Sequence, residues 1–213
     1  TSTSSSGGRQ MPSHFSSKTL GIFSPSSAIG SSLLPGCGLA WGLKLEGKPG
    51  LVVATVGDAG TRQGDFYEAI ALAVDWQLPV LFIVEDNGLG ISTSTASGNP
   101  LHLNILNHAL WSVIDGCNAE CVYRHAESAM ASIRKGEGPR FLWVKLERLS
   151  DHTSTDQQTL YRSKKELRRI EKRDPLSLYR SSLIALSELS QESFDDLEVS
   201  MSKAVDAAYS SVA

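Results

Sequence analysis

The stretch from Leu51 to Asn87 restricts the possible folds more than any other part of the chain. Leu51 to Val56 is a short, mostly β-branched apolar run without period-2 alternation. That is the pattern of a parallel strand covered on both faces, so it is expected at the centre of its sheet. Gly57-Asp58-Ala59-Gly60 follows, supplying small residues where the backbone must turn sharply and approach a ligand closely. From Gly64 onward, apolar residues recur at Phe66, Ala69, Ile70, Ala73 and Val74, which makes one helix face. Pro79 follows the helix, and Val80 to Val84 is a second buried strand that ends at Glu85-Asp86-Asn87-Gly88. The unit is β-α-β with an expected right-handed crossover. The fold class that follows is α/β, an open, mostly parallel sheet with helices on both faces.

Asp58 and Asn87 then both stand at carboxyl ends of strands, where open α/β sheets bind ligands. They lie about thirty residues apart, the length of one β-α-β unit, so no unusual connection is needed to bring them together. A carboxylate, an amide oxygen and a main-chain carbonyl suit a hard cation such as Mg²⁺, with phosphate oxygens and water completing its octahedron. Backbone N–H groups at the start of the next helix would face the same anion. The plainer reading makes Asp58 a helix cap and Asn87 a turn residue. The complete order of strand, turn, helix, strand and Asn favours the cradle.

This order resembles the thiamine diphosphate motif of the alpha subunits of 2-oxo acid dehydrogenases: GDG, a helix and a strand, then NN. The resemblance implies that Asp58, Asn87 and the main-chain carbonyl of Leu89 bind the metal. It also implies that Gly57, Asp58, Ala59, Gly60, Asn87, Leu89 and Ile91 contact the cofactor. Two departures stand out. The family's GDGA is here Gly57-Asp58-Ala59-Gly60, and its NN is Asp86-Asn87. The first costs little if Ala59 keeps a negative φ, and the second leaves the metal-binding Asn in place.

Further segments carry the same resemblance. Gly8-Arg9-Gln10-Met11-Pro12-Ser13-His14 is similar to the GRQMPxH segment of branched-chain members. Ser26-Ser27-Ala28-Ile29 stands where the family has SSPL, so Ser27 and Ile29 join the cofactor contacts and Ile29 takes the place of the Leu that braces the bent cofactor. Asp151-His152-Thr153-Ser154-Thr155-Asp156 with Tyr161-Arg162-Ser163 resembles the HHSTSDD...YRS loop. There His152 matches the catalytic His that contacts the diphosphate, and an imidazole with an ordinary pKa of about 6.5 donates to phosphate or moves a proton near neutral pH. Thr153 stands where some members carry a phosphorylated Ser. The loop is polar and Ser/Thr-rich, and is expected to order with cofactor. His14 is a candidate for the substrate side, whereas His102, His108 and His125 have no supporting context.

With 213 residues, 41% of them hydrophobic and 20% charged, the chain can bury one α/β core. No apolar run approaches the roughly 18 residues of a membrane helix. A net charge of −3, from 20 basic and 23 acidic residues, argues against general nucleic-acid binding. The basic run from Arg162 to Arg173 reads as a solvated helix face. Cys37, Cys117 and Cys121 sit in apolar surroundings, and their odd number speaks against a disulfide framework. A reducing compartment follows, the bacterial cytoplasm or alternatively the mitochondrial matrix.

Residues 1–10 read as a disordered Ser/Gly-rich tail, 11–160 as the cofactor-binding α/β domain, and 161–213 as helices packed on it. Within that plan a helix is expected over Ile29–Leu45, with Gly36, Gly38 and Ala40 allowing close packing. Strands are expected at Trp111–Ile114 and Phe141–Leu146, with a helix over Ala126–Lys135 between them. Ser163 with Glu166 reads as a capping box and Asp174-Pro175 as a helix start. A last amphipathic helix carries Phe194, Leu197, Met201, Val205 and Ala208 on one side.

The resemblance implies the alpha part of a hetero-oligomer of two alpha and two beta chains. It would decarboxylate a branched-chain 2-oxo acid and pass the acyl group to the lipoyl domain of an acyltransferase component. A beta subunit, or a fused beta domain, supplies the Glu that activates the cofactor. The family portion ahead of GRQMP, whose Tyr-Arg pair contacts the diphosphate, has no counterpart here. The expectation is therefore an N-terminally truncated form, inactive alone. The competing readings are another thiamine diphosphate enzyme, such as a pyruvate or acetoin dehydrogenase alpha subunit or a transketolase-like protein, and a non-catalytic scaffold. A dinucleotide-binding domain would show G-x-G-x-x-G after the first strand, and none is present.

Overall fold

The computed structural model describes residues 7, 9, 14–23, 26–103 and 107–211. Of the Gly8–His14 segment only Arg9 and His14 are among them. The chain divides into two compact units, Ser26–Pro175 and a second formed by Thr1–Pro25 with Leu176–Ala213.

The larger unit is built on α1 (Leu33–Leu45), β1 (Val52–Gly57), α2 (Gly64–Asp75), β2 (Val80–Asp86), the short strands β3 (Leu89–Gly90) and β4 (Thr93–Ser94), β5 (Trp111–Asp115), α3 (Ala119–Arg134), β6 (Arg140–Lys145) and α4 (Lys164–Glu171). Four strands form a parallel sheet in the order β1-β2-β6-β5, and β3 pairs with β4 in an antiparallel hairpin. This is the α/β fold expected from the sequence.

Two cores lie on opposite faces. Ala54, Val56, Val80, Phe82, Val84, Phe141 and Trp143 pack with Leu33, Cys37 and Ala40 of α1 and Phe66, Ala69 and Ala73 of α2. Leu81, Leu142, Val144 and Ile114 pack with Ala129 and Ile133 of α3. The Phe141 ring stacks between Phe82, at 5.0 Å, and Trp111, at 4.5 Å between centroids. Each such buried side chain contributes on the order of 1.5–3 kcal/mol.

Several elements differ from the sequence expectation for identifiable reasons. β1 lies at the edge of the sheet, not its centre. Only Ala54 and Val56 are buried, while Val53 and Thr55 on the other face are exposed. A continuous apolar run does not distinguish such a strand from a central one. α1 begins at Leu33 and not at Ile29, because Gly30 adopts φ +82, which a continuing helix cannot accept. α3 begins at Ala119 and not at Ala126, because the Asn118 side chain accepts the Cys121 N–H at 3.0 Å and caps the helix there. Gly36 approaches β1 so closely that a Cβ would stand 3.3 Å from that of Ala54, whereas Gly38 faces open space. The capping box is half formed: Ser163 accepts the Glu166 N–H at 3.2 Å, but the Glu166 carboxylate lies 3.7 Å from the Arg162 guanidinium.

In the second unit, α5 (Pro175–Ala185) starts at Pro175 as expected, and α6 (Gln191–Ser210) carries Leu197, Met201 and Val205 exposed. Arg180 of α5 pairs with Asp195 of α6 and lies over the Phe194 ring. His14 belongs to this unit.

Candidate functional site

The site grows out of strand register. β1 and β2 are parallel neighbours with Gly57 opposite Glu85, so the next pair at their carboxyl ends is Asp58 and Asp86. Alternation continues Ala54 and Val56 into Asp58, and Phe82 and Val84 into Asp86, so both carboxyls fall on the face toward α1 and α2. Both are buried, Asp58 to 4% exposure and Asp86 to 9%. Burial pushes the Asp58 carboxyl above its ordinary value of 3.8; the Thr95 hydroxyl bond opposes this, and the neighbouring Asp86 adds to the rise. Thr95 donates its hydroxyl to Asp58 Oδ2. One Asp86 oxygen accepts the Trp143 Nε1–H at 2.6 Å and the other the Gly88 N–H at 3.0 Å. Among the described residues, no cationic side chain forms an ion pair with either acid.

After Asp58 the chain makes a 3-10 turn, Asp58–Arg62, in which the Thr61 hydroxyl donates to the Asp58 carbonyl at 2.6 Å. Ala59 keeps a negative φ, as its place in the motif requires. The order Ala-Gly has a packing reason. A Cβ on Gly60 would stand 2.6 Å from Val56 Cγ2 and 3.0 Å from Ile29 Cγ2, whereas the Ala59 methyl fits against Gly90, where a second methyl would approach it to 2.9 Å. Ile29 thus touches the Asp58 turn beside Gly60, with 67% of its surface exposed.

The β3–β4 hairpin closes over this turn. Asn87 Oδ1 accepts the Leu89 N–H at 3.1 Å, and the Thr95 N–H donates to the Gly88 carbonyl at 3.1 Å. Ile91 turns the hairpin with φ 59, and its carbonyl accepts Arg148 Nη1–H at 2.9 Å. Arg148 also donates to the Tyr161 hydroxyl, which donates to Asp156 Oδ2 at 2.6 Å; the same oxygen accepts the His152 N–H at 2.8 Å. The loop bearing His152 is therefore tied by side chains to the hairpin bearing Leu89. The Tyr161 hydrogen bond, then the His152 N–H, holds Asp156 below the usual carboxylate range. His152 itself is exposed.

The structure brings together Gly57, Asp58, Ala59, Gly60, Asn87, Leu89, Ile91 and Ile29, and links the His152 loop to them. Ser27 lies in the bend two residues before Ile29. Thr95, Trp143 and Arg148 carry no signal in the sequence, and Asp86 enters there only as the residue standing where the family motif has its first Asn. Strand alternation, carried to the last residue of β2 and one residue past the end of β1, marks Asp86 as the neighbour of Asp58.

The donor set fits a hard divalent cation, being made of carboxylate, amide and carbonyl oxygens. Among the described residues, no group of three or more His, Cys, Asp or Glu is placed to hold a metal, which sets this site apart from zinc-type clusters. A divalent cation there would offset the cost of burying two adjacent acids.

A profile of the family described as dehydrogenase E1 component matches residues 1–213. The chain belongs to that family. The E1 chain is 30% identical over 211 residues to a 2-oxoisovalerate dehydrogenase subunit alpha of Bacillus subtilis, covering 95% of this chain and 64% of the relative. It is 32% identical to 2-oxoisovalerate dehydrogenase subunit alpha 2, mitochondrial, of Arabidopsis thaliana, over 82% of this chain and 38% of that one. It is 33% identical to a pyruvate dehydrogenase E1 component subunit alpha of Staphylococcus aureus, over 75% and 45% respectively. The E1 chain thus spans between about two fifths and two thirds of the length of these relatives. No helix among the described residues is long and apolar enough to cross a membrane.

Proposed function

We propose that this chain is the alpha part of the decarboxylating component of a 2-oxo acid dehydrogenase complex, binding thiamine diphosphate through Mg²⁺ and acting with a beta chain. The observation that carries the reading is the meeting of Asp58, Asp86 and the Asn87–Leu89 turn at the carboxyl ends of two adjacent parallel strands. Asp58, Asn87 and the Leu89 carbonyl are assigned to the cation, with Thr95 fixing the rotamer of the Asp58 carboxylate. The Gly57–Gly60 turn is assigned to the diphosphate, and Ile29, Ser27 and Ile91 to its flanks. His152, held on a loop braced by Arg148, Tyr161 and Asp156, is assigned to donate a hydrogen bond to the diphosphate and to move a proton near the reacting carbon. Bound there, thiamine diphosphate supplies the electron sink for the charge left when CO₂ departs from a 2-oxo acid. The chain's own work is placement, charge balance and exclusion of water.

The Gly8–His14 segment and the similarity to 2-oxoisovalerate dehydrogenase alpha chains support a branched-chain substrate. Similarity to pyruvate dehydrogenase alpha chains supports pyruvate as the second reading. Calorimetric titration of thiamine diphosphate with Mg²⁺ into the chain, with and without a beta partner, tests the half-site: binding in the mixture is expected, and no binding in either arm refutes it. Turnover of 3-methyl-2-oxobutanoate against pyruvate by the reconstituted complex, with lipoyl domain as acceptor, decides the substrate. Preference for pyruvate overturns the branched-chain assignment.

A further inference from the structure

The helix α4 carries a charge pattern that works against its own stability. Between Lys164 and Arg173 stand six basic and two acidic residues, in a chain whose net charge is −3, so the rest of the chain has an acidic excess. Ile170 is fully buried and Leu167 half-buried, which fixes one side of the helix on the domain. Lys164, Arg168 and Lys172, at four-residue spacing on the other side, are exposed together with Lys165 and Arg169, and among the described residues these five alone line an open cleft of about 550 Å³. Arg169 meets Glu147 at 3.0 Å, whereas Lys164, Lys165, Arg168 and Lys172 form no ion pair among the described residues. Like charges at i and i+4 destabilise a helix, and three such pairs occur here, Lys164–Arg168, Arg168–Lys172 and Lys165–Arg169. Lys164 and Lys165 also occupy the first turn, where the helix dipole disfavours cations. A local choice that opposes the element bearing it, with no compensating contact inside the chain, marks a functional surface.

We propose that this face of α4 is a docking surface for an acidic protein, one that presents carboxylates about 6 Å apart to match the four-residue spacing of the cations. Shape and surroundings select this class of partner. A small ligand calls for a concave, largely apolar pocket, and this cleft is open and bordered by cations alone. A bilayer surface calls for apolar side chains beside the cations, and the apolar residues of α4, Leu167 and Ile170, turn inward. Nucleic acid lays its phosphates along a track longer than the roughly 12 Å from Lys164 to Lys172, and would also meet Glu147, Glu166 and Glu171 on the flanks. A short patch of carboxylates meets the cations without meeting those acids. α4 follows directly on Tyr161-Arg162-Ser163, and Tyr161 and Arg162 bond to Asp156 and to the Arg148 carbonyl, so a partner held here stands beside the loop that carries His152. The inference is independent of the cofactor assignment.

The probe is a fluorescein-labelled, alanine-based helical peptide with Glu at every fourth position, titrated with the full 213-residue chain and followed by fluorescence anisotropy. The wild-type chain should bind it at low salt, with affinity falling about tenfold between about 50 and about 200 mM salt. Lys164→Glu/Arg168→Glu/Lys172→Glu should lose about a hundredfold in affinity and should instead take up the same peptide with Lys in place of Glu. If that variant does not fold by circular dichroism, K164Q/R168Q/K172Q, which only removes charge, takes its place with an expected loss of about tenfold. Duplex DNA and phosphatidylserine vesicles are the competing arms. Tighter binding of either one, lost in the same variant, assigns the face to that polyanion and overturns the acidic protein. No peptide binding by the wild type, or binding indifferent to salt or to the substitutions, leaves α4 a solvated face and overturns the inference.

Discussion

Replacing Trp143 with Phe separates what its indole N–H does from what its bulk does. Trp143 is fully buried, and its Nε1–H meets Asp86 Oδ2 at 2.6 Å. Phenylalanine keeps most of the apolar contact but leaves that oxygen buried without a donor. A hydrogen bond to a charged group is worth about 1.5–3 kcal/mol. The missing ring volume adds a cavity cost of about 1–2 kcal/mol, since the surrounding Phe141 and Val84 relax only in part. The variant should therefore lose about 2.5–5 kcal/mol, a large share of the roughly 5–15 kcal/mol that keeps a domain folded. Urea denaturation at neutral pH in a metal chelator measures this, read as a lower midpoint with unchanged slope. A double-mutant cycle then isolates the bond. W143F and D86L each strand one partner, while W143F/D86L strands neither, so the double variant should be more stable than the sum of the singles by about 1.5–3 kcal/mol. Relief of Asp58 by loss of Asp86 appears in both arms of the cycle and cancels. Additivity to within about 0.5 kcal/mol would refute the claim that the two side chains depend on each other.

Gly60→Ala places a methyl 2.6 Å from Val56 Cγ2 and should cost about 1–3 kcal/mol in thermal denaturation. Gly90→Ala meets the Ala59 methyl at 2.9 Å and should be relieved in A59G/G90A; an unrelieved double variant counts against this account of the motif. Burial, reinforced by Asp86, raises the Asp58 carboxyl above 3.8, so the folded state holds that proton more tightly than the unfolded one. Its contribution is fully present below 3.8 and is lost as pH rises through the raised value. Asp58→Asn should flatten that loss in chelator-treated protein, and an unchanged pH slope would show that another group is responsible. Asp156 is shifted the other way, chiefly by the Tyr161 hydroxyl, so its contribution is present above 3.8 and fades as pH falls through the lowered value. In Tyr161→Phe the Asp156 carboxyl should titrate closer to 3.8 by nuclear magnetic resonance, whereas an unshifted titration would assign the effect to the His152 N–H and then Arg148. Burial raises the Cys37 thiol to about 11, so a thiol reagent at pH 8 should modify half-buried Cys121 well before Cys37, and equal rates would contradict the packing of α1.

How far the sequence discloses this site follows from which interactions are local. The β-α-β unit is legible because each element carries its own periodicity, and the turn residues mark where one ends and the next begins. Asp58 and Asn87 could be placed at strand ends for that reason alone, whereas Leu89 enters only through the family resemblance. Position within the sheet was not legible, because Val53 and Thr55 are β-branched whether or not a neighbour covers them. Helix starts were misplaced where a single residue decided them: Gly30 by its left-handed φ, Asn118 by its cap. Thr95 and Trp143 reach the acids from 37 and 57 positions along the chain, and no local pattern announces such partners. Asp86 is the instructive case. Its neighbours in sequence read as a turn, yet the alternation Phe82, Val84, Asp86 continues the strand one step further than its apolar residues do. Once β1 and β2 are known to be parallel and in register, that same alternation in Ala54, Val56, Asp58 forces the two acids together. The charge of the site is thus a consequence of register, and a one-residue slip between these strands would turn Asp86 to the opposite face and leave Asp58 alone.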